Sequence, residues 1–401
     1  MSSYVAPRVT LLNRPMLLLC SASFGAMICF YLLLSVVPQY ATSIGATRVG
    51  AGLATGALML STVALELLTP RLVARYGYRI TLAAGLALIG APALALPLAH
   101  AMPAIFAISL VRGVGLAIIV VVGGSLVATI VPAERRGEGL GLYGFIVNVP
   151  AVVGLPAGVW LAAHVGYPPV FIIAGVAGLA GILAVPGLPS RAAATTDIPF
   201  GVLAGLRTPA LARPAVVFSA TAMAAGVIVT FLPLAAIHAS GNIIAIALLV
   251  QAAASTLTRW WAGHLGDRHG AASLLAPALL TAAAGMLALI YIASTPAIMI
   301  GMLLFGIGFG ITQNASLTLM FDRVSPSGYD AVSAVWNVGY DAGLGIGAVA
   351  FGVVSSHTGY PIAFALLGAF MLAMLAPAIH DRRSARTADE GSNPTLAEID
   401  S

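Results

Sequence analysis

His164-Val165-Gly166-Tyr167-Pro168 and His357-Thr358-Gly359-Tyr360-Pro361 are one short motif that the sequence contains twice, at an offset of 193 residues (357 − 164). The same offset maps Gly113-Val114-Gly115 onto Gly306-Ile307-Gly308. Matches spread this widely along the chain at one constant offset indicate an internal repeat. The sequence therefore predicts two halves that share one architecture and have the same orientation, as parallel repeats do.

The composition around these motifs is that of a membrane protein. Of the 401 residues, 60% are hydrophobic and only 8% are charged, whereas soluble domains carry about 25% charged residues. The mean hydropathy is +1.02, and apolar runs this dense must face lipid. A soluble enzyme, a nucleic-acid-binding protein and a disordered protein are therefore excluded as the main interpretation.

Apolar runs long enough to form transmembrane helices occur twelve times. A helix needs about 20 apolar residues to cross about 30 Å of hydrocarbon. The predicted spans are residues 15–37, 49–70, 80–99, 103–130, 138–163, 168–188, 214–237, 242–264, 272–293, 297–320, 331–355 and 360–380. The predicted fold class is an all-α integral membrane protein built from two six-helix bundles.

The gaps between these runs divide the chain into domains. We predict an N-terminal bundle over residues 1–188, a cytoplasmic linker over 189–213, a C-terminal bundle over 214–380 and a disordered cytoplasmic tail over 381–401. The proline-rich linker is the longest internal loop, and residues Phe200 to Leu206 within it favour a short interfacial helix.

The arginines predict the orientation, because they cluster at both ends of the chain and in every second loop. These arginines are Arg8, Arg14, Arg71, Arg75, Arg79, Arg135, Arg136, Arg191, Arg207, Arg213, Arg268, Arg323, Arg382, Arg383 and Arg386. Only Arg48 falls in a loop of the other set. By the positive-inside rule, we expect both termini on the cytoplasmic side of a bacterial inner membrane. The net charge of +5 is thus a signal of topology, not of a nucleic-acid surface.

Several motifs resemble those of the major facilitator superfamily. Residues 263–270, Gly-His-Leu-Gly-Asp-Arg-His-Gly, resemble its loop motif, and Arg112 within residues 110–115 resembles its fourth-helix arginine motif. Residues 154–158, Gly-Leu-Pro-Ala-Gly, resemble a degraded antiporter motif of drug:proton exporters, and residues 340–347 resemble an eleventh-helix pattern of the arabinose-efflux-permease-like branch. The resemblance covers about residues 14–380 and implies two six-helix bundles that rock around a central site.

The resemblance also implies a conformational latch, in which the loop-motif aspartate, Asp267, caps a helix of the other half and closes the cytoplasmic side. The matching latch positions are Gly263, Asp267, Arg268 and Gly270 in the second half, and Arg75 and Gly77 in the first. The first-half loop departs from the pattern, with Ala74 in place of the aspartate and Pro70 in place of the glycine. We therefore predict two unequal latches.

Four charged side chains lie clearly inside the predicted spans, away from their ends: Glu66, Arg112, Arg259 and Asp341. Each costs about 3 kcal/mol to place in a bilayer, so each is a functional candidate. Asp341 and Glu66 are the candidates for proton coupling, and Arg259 and Arg112 are their candidate charge partners. Two interpretations of Asp341 stay open, a structural ion pair with Arg259 and a protonatable site.

The same alternatives apply to the other two charges. Glu66 suits proton coupling, helix packing or a pair with a neighbouring basic group. For Arg112, the resemblance implies substrate or proton handling, and structural pairing is the alternative. The first span contains no carboxylate, although many proton-driven exporters of the resembled family carry one there.

Uncharged polar and aromatic residues at compatible depths predict a cavity between the halves. The candidates are Tyr31, Tyr143, Asn148, Gln313, Asn314, Asn337 and Tyr340. Each alone is typical of a helix–helix hydrogen bond, but together they favour a mixed polar and aromatic cavity.

The expected function is secondary active transport of a small organic molecule, with proton-coupled efflux as the first interpretation. An uptake symporter for an organic anion is the alternative, favoured if Arg112 and Arg259 face the cavity. A non-transporting receptor or a membrane enzyme is an alternative of another class. The sequence contains no nucleophile–base constellation, Walker motif or metal-ligand spacing, so we expect no enzyme activity, cofactor or metal. We expect a monomer whose partners are its substrate, protons and the lipid bilayer.

Overall fold

The computed structural model describes residues 13–131, 135–190, 207–324 and 328–381, with the backbone alone at 136, 137, 267, 269 and 329–331. Within these residues, twelve helices are long and apolar enough to cross a membrane. The first half contains α1 (Arg14–Ser43), α2 (Arg48–Glu66), α3 (Thr69–Ala95), α4 (Met102–Ile130), α5 (Arg136–Val165) and α6 (Tyr167–Ala180). The second contains α7 (Pro209–Ala235), α8 (Gly241–His269), α9 (Ala271–Ala288), α10 (Thr295–Phe321), α11 (Tyr329–Thr358) and α12 (Tyr360–Ala373). The twelve-helix prediction is confirmed.

Polar side chains cap several of these helices. The Asn13 side chain accepts a hydrogen bond from the Met16 backbone at 2.9 Å, at the start of α1. Ser240 accepts one from Ile243 at 3.4 Å, at the start of α8. Such caps satisfy backbone N–H groups that have no partner within the helix.

An even number of crossings places Asn13 and Asp381 on the same side of the bundle. We call this side the terminal face and the other side the opposite face. Helices α1, α5, α7 and α11 therefore start at the terminal face, and α2 and α8 start at the opposite face.

Glycines with left-handed backbone reveal the repeat directly. Gly77 and Gly270 have φ of 78° and 76°, and Gly166 and Gly359 have φ of 81° and 80°. Each pair is separated by the offset found in the sequence, and each glycine sits at a junction between helices. Only glycine adopts this conformation without strain, so the two halves turn their chains in the same way at equivalent points.

Close helix packing repeats as well. A Cβ atom added at Gly115 would lie 2.5 Å from the backbone nitrogen of Ile89. One added at Gly308 would lie 2.5 Å from the backbone nitrogen of Ala282, the repeat counterpart of Ile89. Small residues at these crossings let the helix backbones touch, as is usual inside membranes.

Two helix starts differ from the predicted boundaries. Helix α3 begins at Thr69, because a short helical segment precedes the turn at Gly77. Helix α7 begins at Pro209, inside the predicted linker, since proline is well accommodated in the first helical turn. The predicted interfacial helix at Phe200 to Leu206 lies outside the described residues, as does the tail beyond Asp381.

The buried carboxylate of Asp381 holds the segment after α12 in place at the terminal face. Asp381 is 0% exposed. Its Oδ1 lies 3.5 Å from Nε of Arg213 and 3.1 Å from Nη2 of Arg323. Arg323 also donates a hydrogen bond to the Ala210 carbonyl. These contacts tie the segment after α12 to the start of α7 and the end of α10.

Two contact regions, or seams, join the halves: α2 packs against α11, and α5 packs against α8. The repeat relates them, because α8 is the counterpart of α2 and α11 is the counterpart of α5. In the α2–α11 seam, a Cβ at Gly52 would lie 2.4 Å from the Ala348 carbonyl oxygen. In the α5–α8 seam, a Cβ at Gly241 would lie 2.5 Å from Cβ of Ala163. Both approaches lie near the opposite face.

Polar contacts also join the halves toward the opposite face. The hydroxyls of Thr55 on α2 and Thr230 on α7 are 2.9 Å apart. At the start of α2, Arg48 donates to the Ser355 carbonyl, and its guanidinium carbon lies 4.2 Å from the centroid of the Tyr360 ring. The opposite face is therefore closed in this conformation.

Candidate functional site

A cavity of about 770 Å³ lies between the two halves. Its walls come from α1 and α5 of the first half and from α7, α8, α10 and α11 of the second. Leu140, near the start of α5, and His264, near the end of α8, both line it. Since these positions are close to the terminal face, the cavity extends toward that face.

Arg259 on α8 is the strongest charge on the cavity wall. Its Nη1 donates to Oε1 of Gln313 at 3.3 Å, and its guanidinium carbon lies 5.9 Å from the centroid of the Trp336 ring. That indole stacks on Phe218, with ring centroids 4.4 Å apart. A neutral amide and an aromatic face therefore hold this cation, and an incoming anion could accept its remaining N–H donors.

The described cavity wall carries basic side chains but no acidic ones. Arg259 and His264 line the cavity, and none of the described residues that line it is Asp or Glu. The rest of the wall mixes apolar side chains with neutral polar groups. This wall suits a neutral or anionic molecule with an apolar body better than it suits a cation.

Five of the seven predicted cavity residues line the cavity: Tyr31, Asn148, Gln313, Asn314 and Tyr340. Tyr143 does not. Its hydroxyl is buried and donates to Oγ of Ser23 at 2.9 Å, and a Cβ at Gly123 would lie 1.9 Å from it. Tyr143 thus joins α5 to α1 and α4, a packing role that its position in the sequence does not distinguish from a cavity role.

Asn337 also lies outside the set of lining residues. It is four positions before Asp341 and so shares its helix face, whereas Tyr340 and Leu344 form the neighbouring face of α11 that lines the cavity. The spacing of Asn337 and Asp341 places both on one side of α11, and neither residue lines the cavity.

Sequence reasoning missed several polar residues of α8 that line the cavity, namely Gln251, Ser255, Thr256 and His264. A signal for them exists in the sequence. Gln251, Ser255 and Arg259 recur every four residues, which places them on one helix face. A polar stripe on an otherwise apolar span predicts a face that avoids lipid.

Asp341 does not line the cavity. Its carboxyl group lies close enough to that of Glu66 on α2 for the two groups to interact. The two residues are 9% and 8% exposed, respectively. Among the described residues, no donor reaches either oxygen of Glu66. The second half thus supplies Asp341, and the first half supplies Glu66, to one buried pair.

The expected ion pair between Asp341 and Arg259 does not form in this conformation. The salt bridges among the described residues are those of Arg135 with Glu138 and of Asp381 with Arg213 and Arg323. The physical reason is helix geometry. Arg259 lines the cavity beside Gln313, whereas Asp341 does not line it and interacts with Glu66 of α2, so the ion pair of the structural interpretation is absent from this conformation.

Arg112 is buried on α4, with 1% of its surface exposed. Its Nη2 donates to the Cys29 carbonyl of α1 at 3.4 Å, and its Nε has no partner among the described residues. Arg112 does not line the cavity. The position therefore links α4 to α1 and offers no direct contact to a molecule in the cavity.

The predicted latch residues lie at the end of α8 and around the turn at Gly77 within α3. Gly263 lines the cavity, and Gly270 ends α8 with its left-handed turn. Arg75 and Arg268 are exposed. Gly77 lets Tyr78 donate from its backbone nitrogen to the Ser190 carbonyl at 3.1 Å. The Asp267 side chain lies outside the described residues, so the latch stays a prediction.

The described residues contain no group of three or more His, Cys, Asp or Glu side chains that could hold a metal ion. Cys20 and Cys29 are free and buried. What the structure does offer is a repeated twelve-helix bundle around a central cavity that is closed at one face. That arrangement is the architecture of a membrane transporter.

The sequence profile of the major facilitator superfamily matches residues 19–235 and 215–399. The chain belongs to that family, and it is a transporter rather than an enzyme. No curated protein sequence matches it.

Solved structures share the fold at low sequence identity. A point mutant of the nucleoside transporter NupG aligns with a TM-score of 0.73 at 14% identity over 92% of this chain and 100% of its own. A bacterial homologue of the human lysosomal transporter Spinster, inward-facing and occupied, aligns with a TM-score of 0.74 at 16% identity over 92% of this chain and 96% of its own. At these identities the likeness establishes the fold alone.

Proposed function

We propose that this protein is a proton-coupled secondary transporter that exports a small organic molecule by alternating access. The observation that carries the proposal is the cavity of about 770 Å³ between repeat-related halves, closed at the opposite face and extending to the terminal face. Ligand sites for small molecules commonly occupy about 300–1,000 Å³. Rocking of the halves about this cavity would expose it to the other side.

The arginine distribution supports a cytoplasmic terminal face in a bacterial inner membrane. Ser240, which caps α8, is exposed at the opposite face, and both native cysteines are buried. A cysteine introduced at Ser240 should react with an impermeant reagent from outside the cell. A cysteine at Ser392 should react only after the membrane is opened. The reverse labelling pattern would contradict this orientation.

Export in exchange for protons is supported by the antiporter-like residues 154–158. A Cβ at Gly158 would lie 2.2 Å from the Leu32 carbonyl oxygen, and one at Gly154 would lie 2.9 Å from Cβ of Tyr31. These glycines therefore let α5 pack closely on α1, beside the cavity wall that Tyr31 forms. Asp341 and Glu66 supply protonatable groups, which arginine cannot replace because it does not lose its proton.

Uptake of an organic anion together with protons is the second candidate function. It is favoured by the Arg259 cation on the cavity wall and by the lack of acidic residues among the described lining residues. Both candidates use the same cavity and the same carboxyl groups. They differ in the direction of substrate flux relative to proton flux.

Flux measurements in proteoliposomes with an imposed pH gradient test the proposal and separate the two candidates. The panel should contain neutral, anionic and cationic organic compounds of similar size. For export by antiport, substrate moves against the proton flux; for uptake by symport, substrate and protons move together. A protonophore should abolish accumulation in either case. Flux that is indifferent to the pH gradient for every transported compound would refute proton coupling.

A further inference from the structure

We propose that Glu66 and Asp341 form one proton-binding site shared between the two halves, and that they are not alternative sites. Its place in a transport cycle rests on the proposed function, but the site itself is a structural claim that needs no transport to test. The ligand is a single proton, held between a carboxyl group of α2 and a carboxyl group of α11.

The position of the pair within the seam is the first argument. Along the α2–α11 seam, Gly52 approaches Ala348 near the opposite face. Nearer the middle, a Cβ at Gly345 would lie 2.7 Å from Cβ of Met59. Glu66 and Asp341 come next toward the terminal face, at the end of this row of contacts. The two carboxyl groups can therefore meet only when the two halves are in contact at this position.

The lack of other partners is the second argument. Both residues are more than nine-tenths buried, and no described donor reaches the Glu66 oxygens. Two ionised carboxylates can only accept hydrogen bonds. In a buried site they repel each other, and the Glu66 oxygens have no compensating donor among the described residues. One added proton turns one carboxyl group into a donor for the other, so the pair is satisfied by one proton.

Among the described residues, no other group near the pair is expected to change its charge across the physiological pH range. Among the described residues, the titratable groups that interact with Asp341 besides Glu66 are Tyr31 on α1 and Tyr340 on α11, and both of these phenols also interact with Arg259 on α8. Phenols ordinarily stay neutral and arginine ordinarily stays charged across the physiological range. The pair is thus the group in this region whose charge changes, and the two carboxyl groups titrate together.

A shared proton would hold α2 against α11 and stabilise the conformation seen here. Its loss would leave two facing carboxylates and favour a conformation in which they separate. Neither residue lines the cavity, so substrate and proton act at different places and communicate through the seam. A proton and a substrate need not compete for one side chain.

The test measures the conformational equilibrium as a function of pH, without substrate. Spectroscopic labels on cysteines at Ser43 and Ser240, which are exposed at the opposite face of the two halves, report its opening by their distance. If one proton is linked to the change, the ratio of conformations should change by up to about tenfold per pH unit near its midpoint. A wild-type equilibrium that ignores pH would overturn the proposal.

Variants then distinguish one shared site from two independent ones. Glu66→Gln and Asp341→Asn should each remove the pH dependence, because an amide donates permanently to the remaining carboxylate. The double variant should behave like either single variant. Glu138→Gln, which removes an exposed carboxylate paired with Arg135, is the matched control and should keep the full response. Partial losses that add up in the double variant would mean two separate sites and would overturn the proposal.

A charge-preserving exchange guards against misfolded variants. Glu66→Asp combined with Asp341→Glu keeps two carboxyl groups and the combined side-chain length, so it should retain the pH response. Loss of the response in this exchange, with normal expression, would also count against a shared proton. Failed transport with an intact pH response would instead reject the proposed function and leave the shared site standing.

Discussion

The two seams between the halves are copies of one helix pair, yet their polar residues differ completely. In the α2–α11 seam, Glu66 and Asp341 form a buried pair away from the cavity. At the repeat-equivalent positions of the α5–α8 seam stand Arg259 and Asn148, and both line the cavity. The α2–α11 seam thus contains two acidic residues that do not line the cavity. The α5–α8 seam contains a cation and an amide that line it.

The difference teaches that the repeat preserves packing and leaves chemistry free to diverge. Glycine contacts that set the distances between helices recur at equivalent positions, as at Gly115 and Gly308. The charges inside the spans do not recur as charges of the same sign, because Glu66 corresponds to Arg259 and Asp341 corresponds to Asn148. Similar backbones can therefore supply one seam suited to a proton and another suited to a substrate.

The largest expected effect comes from removing the acid of the first seam. Asp341→Asn should abolish pH-driven accumulation and leave substrate binding and downhill exchange measurable. Because Arg259 is bonded to Gln313 and not to Asp341, the variant strands no partner and should express normally. Proteoliposome flux with and without a pH gradient makes the measurement.

The double variant Asp341→Asn with Arg259→Gln provides the contradicting outcome. If it regains transport driven by a pH gradient, Asp341 is not the coupling group, and the assignment of the acid seam to the proton fails. Normal flux in Glu138→Gln serves as the control for loss of a carboxylate elsewhere.

The second seam is tested through its cation. Arg259→Gln should weaken binding of an anionic substrate by about 10- to 100-fold, since hydrogen bonds to charged groups contribute about 1.5–3 kcal/mol. A neutral substrate should be affected less. Binding constants measured by calorimetry or fluorescence decide this. Arg14→Gln, at an exposed arginine at the start of α1, is the control. Equal anion affinity in Arg259→Gln would remove the substrate role of this seam.

Glycine substitutions sharpen the comparison by loosening the seams at the opposite face. Gly52→Ala places a Cβ against the Ala348 carbonyl, whereas Gly241→Ala meets only the Cβ of Ala163. Overpacking typically costs about 1–3 kcal/mol, so Gly52→Ala should shift the equilibrium strongly toward opening of that face, and Gly241→Ala should shift it less. Label distances across the opposite face measure both. Gly124→Ala has no atom within 4 Å of the new Cβ and should behave like wild type.

The smallest expected effect concerns the latches at the terminal face. Asp267→Asn removes the charge that we expect to favour a helix amino terminus, worth about 0.3–1 kcal/mol. The population open at the terminal face should therefore rise by about two- to fivefold. Ala74→Ser, at the equivalent position of the first half, should leave it unchanged. Distance measurements across the terminal face that show equal shifts for both variants would mean that the two latches are not unequal.

Much of the fold follows from the sequence, because the insertion of a helix into the bilayer depends mainly on the length and hydrophobicity of its apolar run. The twelve helices and the repeat were predictable on those grounds. The starts of α3 and α7 were not, since Pro70 and Pro209 read as helix breakers but fit the first turn of a helix. Local sequence did not reveal which of these two roles each proline takes.

The candidate site was predictable in part. Arg259 and Tyr31 stood out because polar groups in apolar spans are costly. The partner of Asp341 could not be deduced, because it depends on how α11 is rotated about its axis and which helix it packs against. Tyr143 shows the same limit: its partner Ser23 lies 120 positions away in sequence. Contacts between distant segments are set by tertiary packing, which a single sequence does not encode in any local pattern.

The contacts of Asp381 with Arg213 and Arg323 determine where the chain can be truncated. A protein ending before residue 381 would lose the anion that the structure places beside both Arg213 and Arg323, and two cations would face each other at the base of three helices. A reporter domain or affinity tag fused after this residue leaves that neutralisation intact. A tag should therefore be attached after Asp381, because a chain shorter by this one residue loses the carboxylate that neutralises both arginines.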